Sequence, residues 1–218
     1  GAKVESLFCN IDGNFPNHHP DPSNLKNLVS LQEALVNGES ELGLAFDGDG
    51  DRLGVVTKKG EIIFPDRQLL LFAEDVLKNN PGASIIFDVK STRHLFSWIE
   101  DRGGIPIIWK TGHSLIKAKM KESKAILAGE MSGHMFFNDR WYGFDDGVYA
   151  GARLIEILSN FDNPSKILEA LPKSFSTPEL NIELNEGEQH KIIKTLQNKA
   201  KFPNAIEIIK IDGLRVEY

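Results

Sequence analysis

Apolar residues along this chain recur at two different rhythms. Leu25, Leu28, Leu31 and Leu35 repeat every three or four positions, which predicts a helix capped by Ser23 and stopped at Gly38. The runs 42–46 and 53–56 are short and apolar and predict buried strands. A second helix is marked by Leu69, Leu70, Phe72, Ala73, Val76 and Leu77, with Asp66 as its cap and Asn80-Pro81-Gly82 as its stop. There follow an expected strand at 84–89, a helix at 93–102 closed by Gly103-Gly104, a strand at 105–109, a helix at 115–122, a strand at 125–128, and helices at 146–160 and 165–171. Upstream, 4–11 is expected as a strand, so that the first block reads strand, helix, strand. The stretch 14–22 is rich in proline and histidine and reads as a loop.

Leu171-Pro172 and Ser176-Thr177-Pro178 punctuate the chain before an expected strand at 179–184, a helix at 188–200 and a hairpin (206–211, 214–218) turning at Asp212-Gly213. Alternating strands and helices predict an α/β fold of mixed, mainly parallel sheets flanked by helices, with right-handed crossovers. The last segment reads as an incomplete α+β piece. The expected division is 1–63, 64–173 and 174–218.

The richest chemistry lies between the first two apolar runs, where Asp47, Asp49 and Asp51 alternate with glycines and end on Arg52. Glycine spacers let the backbone bend until the carboxylates converge. Converging carboxylates repel unless a cation sits among them, and hard oxygen ligands suit Mg²⁺. An EF-hand requires Gly and Glu where this loop has Arg52 and Lys58, so that reading is rejected. Arg52 beside such a cation would clamp a phosphate.

Ligands of parallel sheets bind at the carboxyl ends of the strands. Lys90, the Thr111–His113 loop and Glu130 each follow a predicted strand, so they are expected to meet on one sheet edge. Lys90 is a candidate phosphate donor and proton shuttle. His113 precedes a helix, where free N–H groups favour anions. Glu130, Ser132 and His134 form a polar cluster suited to sugar hydroxyls. Lys117, Lys119 and Lys121 read as solvated charge, and Trp109, Phe136, Phe137 and Trp141 as core. A cation site, cationic donors and hydroxyl-binding groups together point to phosphoryl transfer on a sugar phosphate.

Composition narrows the setting. The chain has 218 residues and a net charge of −6, which argues against nucleic acid as a main partner. No apolar run approaches the roughly 20 residues of a membrane span, and no signal-peptide pattern opens the chain. Its one cysteine, Cys9, excludes an internal disulfide, fits a cytoplasmic setting and is expected to be buried behind Leu7-Phe8. A start without methionine and an end inside a hairpin suggest part of a longer protein.

Three motifs in order closely resemble the α-D-phosphohexomutases: Gly-Leu-Ala-Phe-Asp-Gly-Asp-Gly-Asp-Arg (43–52), Lys-Thr-Gly-His-Ser (110–114) and Gly-Glu-Met-Ser-Gly-His (129–134). Stretches 15–22 and 141–147 strengthen the likeness, which runs along essentially the whole chain. The resemblance implies two phosphohexomutase-type α/β domains, the second and third of four, and the start of the fourth. It implies Mg²⁺ ligands at Asp47, Asp49 and Asp51, and a phosphate-polarising Arg52. Lys90 and His113 would contact substrate and serve acid/base chemistry; Glu130, Met131, Ser132, Gly133 and His134 would form the sugar loop. The implied reaction interconverts hexose 1- and 6-phosphates, mannose or glucose, through a hexose 1,6-bisphosphate and an enzyme phosphoserine.

The family's phosphoserine segment (Thr-Ala-Ser-His-Asn-Pro-like) and its Arg-x-Ser-Asn-like phosphate loop do not occur in the 218 residues, and Ser114 belongs to a different motif. The chain alone is therefore expected to be inactive, with the missing domains of the same protein as partners. A phosphoglucosamine mutase, against which Met131 argues, and a non-catalytic Mg²⁺/sugar-phosphate module are the alternative readings.

Overall fold

In a computed structural model, residues 2–174 and 180–218 are described. A 3₁₀ turn (Leu25–Leu28) leads into α1 (Val29–Asn37), and the turn is capped by Asn24, whose side chain accepts from the Lys26 N–H, rather than by Ser23. Strands β1 (Leu42–Phe46), β2 (Leu53–Thr57) and β3 (Ile62–Ile63) form an antiparallel sheet in that order, with Phe46 opposite Leu53. The parallel arrangement expected for the mixed fold therefore does not extend to this sheet. The reason is geometric: the acidic loop between β1 and β2 is far too short for the dozen or more residues that a parallel crossover needs.

Helix α2 (Pro65–Asn79) starts with Pro65 at its first position and carries its apolar face, Leu69 to Leu77, into the interior. Asp66 is not its cap; it is buried in the first turn and accepts from the Thr92 and Arg67 N–H groups. The second sheet has the order β5-β4-β6-β7. Its strands are β4 (Ser84–Asp88), β5 (Ile105–Trp109), β6 (Leu127–Gly129) and β7 (Met135–Phe137). β4 runs parallel to both β5 and β6, whereas β7, not foreseen as a strand, returns antiparallel to β6. Helices α3 (His94–Glu100), α4 (His113–Ser123), α5 (Gly147–Leu158) and α6 (Pro164–Glu169) complete this unit.

One apolar core joins the two sheets. Leu53, Val55 and Ile63 of the first pack with α2, with Phe87, Leu127 and Phe137 of the second, and with Leu154 of α5. Phe72 and Phe137 meet edge-on at 5.1 Å, and burying each such ring stabilises by about 1.5–3 kcal/mol. The opposite face of the second sheet is covered by Ile116 and Met120 of α4. This continuous core holds the β1–β2 loop against the second sheet.

The two ends of the chain depart from expectation. Residues 4–11 form no strand, because apolar positions 4, 7, 8 and 11 do not alternate and so present no single face to a sheet. Cys9, expected to be buried, is exposed on this segment. Residues 180–184 are likewise irregular, while Glu179 and the punctuation at 176–178 lie outside the described residues. Helix α7 (Glu188–Lys199) buries no residue, and β8 (Glu207–Ile209) and β9 (Arg215–Glu217) form the expected antiparallel hairpin. Among the described residues no helix is long and apolar enough to cross a membrane.

Candidate active site

The β1–β2 loop folds around Arg52. Its backbone N–H donates to Asp47 Oδ1 at 3.1 Å, and its Nε lies 3.4 Å from Asp47 Oδ2 and 3.9 Å from Asp51 Oδ1. Asp47, Asp49 and Asp51 each bring one oxygen into a group whose members lie within 4.8 Å of one another. Burial pushes the Asp47 carboxyl above its ordinary range, and the Asp51 carboxylate adds to the push, against the opposing pull of Arg52. Asp51 Oδ1 is buried and has no hydrogen-bond partner among the described residues. An orphaned carboxylate oxygen beside two further carboxylates fits a hard divalent cation, which would reverse the mutual repulsion.

The loop between β6 and β7 abuts this one. Arg52 and His134 form an antiparallel bridge, and the Leu53 N–H donates to the Gly133 carbonyl at 3.1 Å. Gly133 has φ +107°, and a Cβ there would meet Arg52 Cβ at 3.3 Å, so the close approach depends on glycine. His134 is almost buried. Its Nε2 lies 3.3 Å from both Arg52 Nε and Asp51 Oδ2, and its Nδ1 lies 2.8 Å from Ser132 Oγ and 3.3 Å from Glu130 Oε2. Burial alone would lower its pKa, but Glu130 and Asp51 outweigh burial and hold the ring above the ordinary histidine range.

The three parallel strands end side by side, as their order requires. His113 opens α4, and its ring stacks on His134 with centroids 5.6 Å apart and planes 19° from parallel. Its Nδ1 lies 3.1 Å from Asp145 Oδ2, while Lys117 Nζ donates to Asp145 Oδ1 at 2.8 Å. An ionised carboxylate only accepts, so toward Asp145 the His113 Nδ1 is the donor, while the Lys117 ammonium lies 3.4 Å from the same nitrogen. Burial would raise Asp145, yet the Lys117 ammonium outweighs it and keeps this carboxyl below its ordinary range. Glu130 is buried, and its Oε1 accepts from the Gly112 N–H at 2.5 Å. Lys90 is exposed just beyond β4 and lines a cavity of about 380 Å³ together with Met131, Arg67, Arg93 and Arg215.

Several participants escaped the sequence reading. Asp145 grips His113 and Lys117, and buried Asp88 accepts from groups on three loops. Lys117 is therefore paired rather than merely solvated, and Lys119 stands 4.3 Å over the Trp109 ring. The signal for Asp88 was a carboxylate closing an apolar run; Asp145 lay in the aromatic stretch 141–147 with nothing local to mark it.

Known proteins resemble this chain in sequence and fold. The profiles of phosphoglucomutase/phosphomannomutase α/β/α domains II and III match residues 1–60 and 64–175. A phosphoglucomutase of Neisseria gonorrhoeae is 65% identical over the whole chain, which covers 48% of it. A phosphomannomutase/phosphoglucomutase of Pseudomonas aeruginosa is 56% identical, again over the whole chain and 47% of the relative. The crystal structure of a phosphoglucomutase/phosphomannomutase family protein from Burkholderia thailandensis superimposes with a TM-score of 0.93 at 60% identity, over 97% of this chain and 45% of that one. The chain thus spans about half the length of the curated relatives it matches. With both profiles aligned in sequence order and the fold superimposing on a solved relative, the chain belongs to the phosphoglucomutase/phosphomannomutase family.

Proposed function

We propose that this chain supplies the metal loop and the sugar loop of a hexose-phosphate mutase, an intramolecular phosphotransferase. It would interconvert hexose 1-phosphate and 6-phosphate, of mannose or glucose, through a hexose 1,6-bisphosphate and a phosphoserine. The observation that carries this reading is the join between Arg52–Leu53 and Gly133–His134. It sets the acidic loop directly against the loop that carries Glu130, Ser132 and His134.

Asp47, Asp49 and Asp51 are the proposed Mg²⁺ ligands, and the bound ion would polarise and neutralise phosphoryl oxygens. Arg52 adds a guanidinium, held by Asp47 and His134, toward the transferring phosphate. His113, its Nδ1 committed to Asp145, presents Nε2 to take or return the proton of a sugar hydroxyl. Lys90 supplies a second cationic donor. Glu130, Met131, Ser132, Gly133 and His134 form the proposed sugar loop, in which Glu130 Oε1 holds the Gly112 N–H and its buried Oε2 lies 3.3 Å from His134 Nδ1. Domain limits of 1–63, 64–173 and 174–218, a phosphoserine and a further phosphate anchor elsewhere in the same protein, and a cytoplasmic setting belong to the same proposal. The unpaired Cys9 supports the last.

The intact protein, supplied with Mg²⁺ and a trace of hexose 1,6-bisphosphate, should convert glucose 1-phosphate or mannose 1-phosphate to the 6-phosphate, followed by ³¹P NMR. Absence of conversion with either sugar would refute the reading.

A further inference from the structure

We infer that Asp88 is a positioning residue that fixes the relative placement of Lys90, His113 and Glu130; this rests on the mutase reading for its functional meaning. Asp88 is the last residue of β4 and is completely buried. Its Oδ1 accepts from Ser91 Oγ at 2.6 Å and from the Met131 N–H at 3.3 Å, and its Oδ2 accepts from Thr111 Oγ1 at 3.2 Å. Those donors belong to three different loops, following β4, β5 and β6. Ser91 adjoins Lys90, Thr111 is next but one to His113, and Met131 adjoins Glu130.

The knot suits a group that can accept on both of its oxygens. Three donors converge, and a carboxylate offers them two oxygens with about four lone pairs. A carboxylate oxygen binds such donors more strongly than a neutral one. Burial, with Glu130, pushes the Asp88 pKa up, and the hydrogen bonds from Ser91, Met131 and Thr111 oppose that push. Glu130 adds a second tie when its Oε1 accepts from Gly112. The β5–α4 and β6–β7 loops are thus cross-linked to each other and, through Asp88, to the strand between them. The side chains of Asp88, Ser91 and Thr111 need not touch substrate; each sets the position of a neighbour that would.

Removing the knot should misplace all three groups together. Near-attack geometry is steep, so a displacement on the order of 1 Å lowers turnover about 100-fold. Asp88→Ala should lose about that much in kcat/KM. Asp88→Asn should recover to within about tenfold of the parent, since its oxygen still accepts from Ser91 and Met131 and its amide can donate to a rotated Thr111 hydroxyl. Thr111→Val cuts a single arm and should lower kcat more than it raises KM, because it loosens the His113 loop and spares the Met131 contact.

The test pairs mutase kinetics with hydrogen exchange by mass spectrometry, both on the intact protein. Asp88→Ala should speed exchange at 110–113 and 130–134 while β4 and α3 stay protected, and Thr111→Val should speed 110–113 alone. General loosening of the fold would accelerate all four regions and would overturn the inference, as would folded variants with parental exchange and kcat/KM within twofold of the parent. If Asp88→Ala does not fold, Thr111→Val and Ser91→Ala decide the matter by the same criteria. If the parent turns over no hexose phosphate, the mutase reading fails, and loop exchange still decides whether Asp88 ties the loops.

Discussion

Gly147→Ala places one methyl group where the first residue of α5 touches the acidic loop. The Gly147 N–H donates to the Gly50 carbonyl at 2.9 Å. A Cβ at Gly147 would lie 2.5 Å from the Arg52 carbonyl oxygen, 2.7 Å from its carbon and 2.9 Å from the Gly50 oxygen, all of them backbone. No rotamer can relieve such a clash. Restoring ordinary contact, 3.4 Å, requires the helix end and the loop to separate by about 0.9 Å. Overpacking of this kind costs about 2 kcal/mol, or about 4–8 °C in Tm for a chain of this size. The loop is also the proposed cation cradle, and Mg²⁺ holds its ligands to within about 0.2 Å. Calorimetric titration of Mg²⁺ into the intact protein should therefore show a large loss of affinity in Gly147→Ala. Gly151→Ala, one turn along, is the control: its Cβ would meet only the side chains of Leu44 and Phe46, at 3.2 Å or more. Parental Mg²⁺ affinity and Tm in Gly147→Ala would refute the reasoning.

Asp51→Asn should abolish the rise in Tm that Mg²⁺ produces in the parent, measured by thermal shift, because it neutralises the oxygen pair that includes the orphaned Oδ1. Arg153, almost fully buried, holds both oxygens of Asp139 at 3.0 Å and Asp75 at 2.9 Å. Arg153→Met should cost about 3–5 kcal/mol in denaturant unfolding by stranding Asp139, with part recovered in the double variant carrying Asp139→Asn. The Lys117–Asp145 pair has a definite pH signature. Asp145 is depressed below its ordinary 3.8 in the folded state, so its contribution is complete above that pH and disappears as pH falls through the depressed value. The Tm difference between the parent and Lys117→Met should accordingly be constant above about pH 5 and shrink as the solution is acidified below 3.8.

What the sequence disclosed, it disclosed locally. Asp47, Asp49, Asp51 and Arg52 sit within six consecutive residues, and the group of carboxylate oxygens follows from alternating glycines. The meeting of the Thr111–His113 loop with Glu130 followed from strand order, which parallel α/β connections restrict. Contacts across sequence distance had no local trace. Asp145 lies 32 positions from His113 and 28 from Lys117, and no spacing rule links them. The segment 4–11 misled because apolar content was read without its period, and β7 was hidden because a three-residue strand is too brief to display one.

The electrostatics of the assembled site explain why its cations matter more than their number suggests. Asp47, Asp51, Asp145 and Glu130 all border His134 or Arg52 within 4 Å or by one intervening group. By themselves these carboxylates would repel a phosphate. His134 responds by holding its proton more tightly, with Glu130 and Asp51 overcoming the cost of burial. Arg52 faces the carboxylates of Asp47 and Asp51, and Lys117 is taken up by Asp145. The cations are thus largely committed to the protein's own anions. On the proposed reading, attraction for a sugar phosphate would come from Lys90 and from charge added to the acidic loop, where three aspartates would serve phosphate binding better than three lysines. A lysine cluster would hold every phosphate equally, whereas carboxylates around a divalent ion aim one compact charge at the oxygens that carry the reaction.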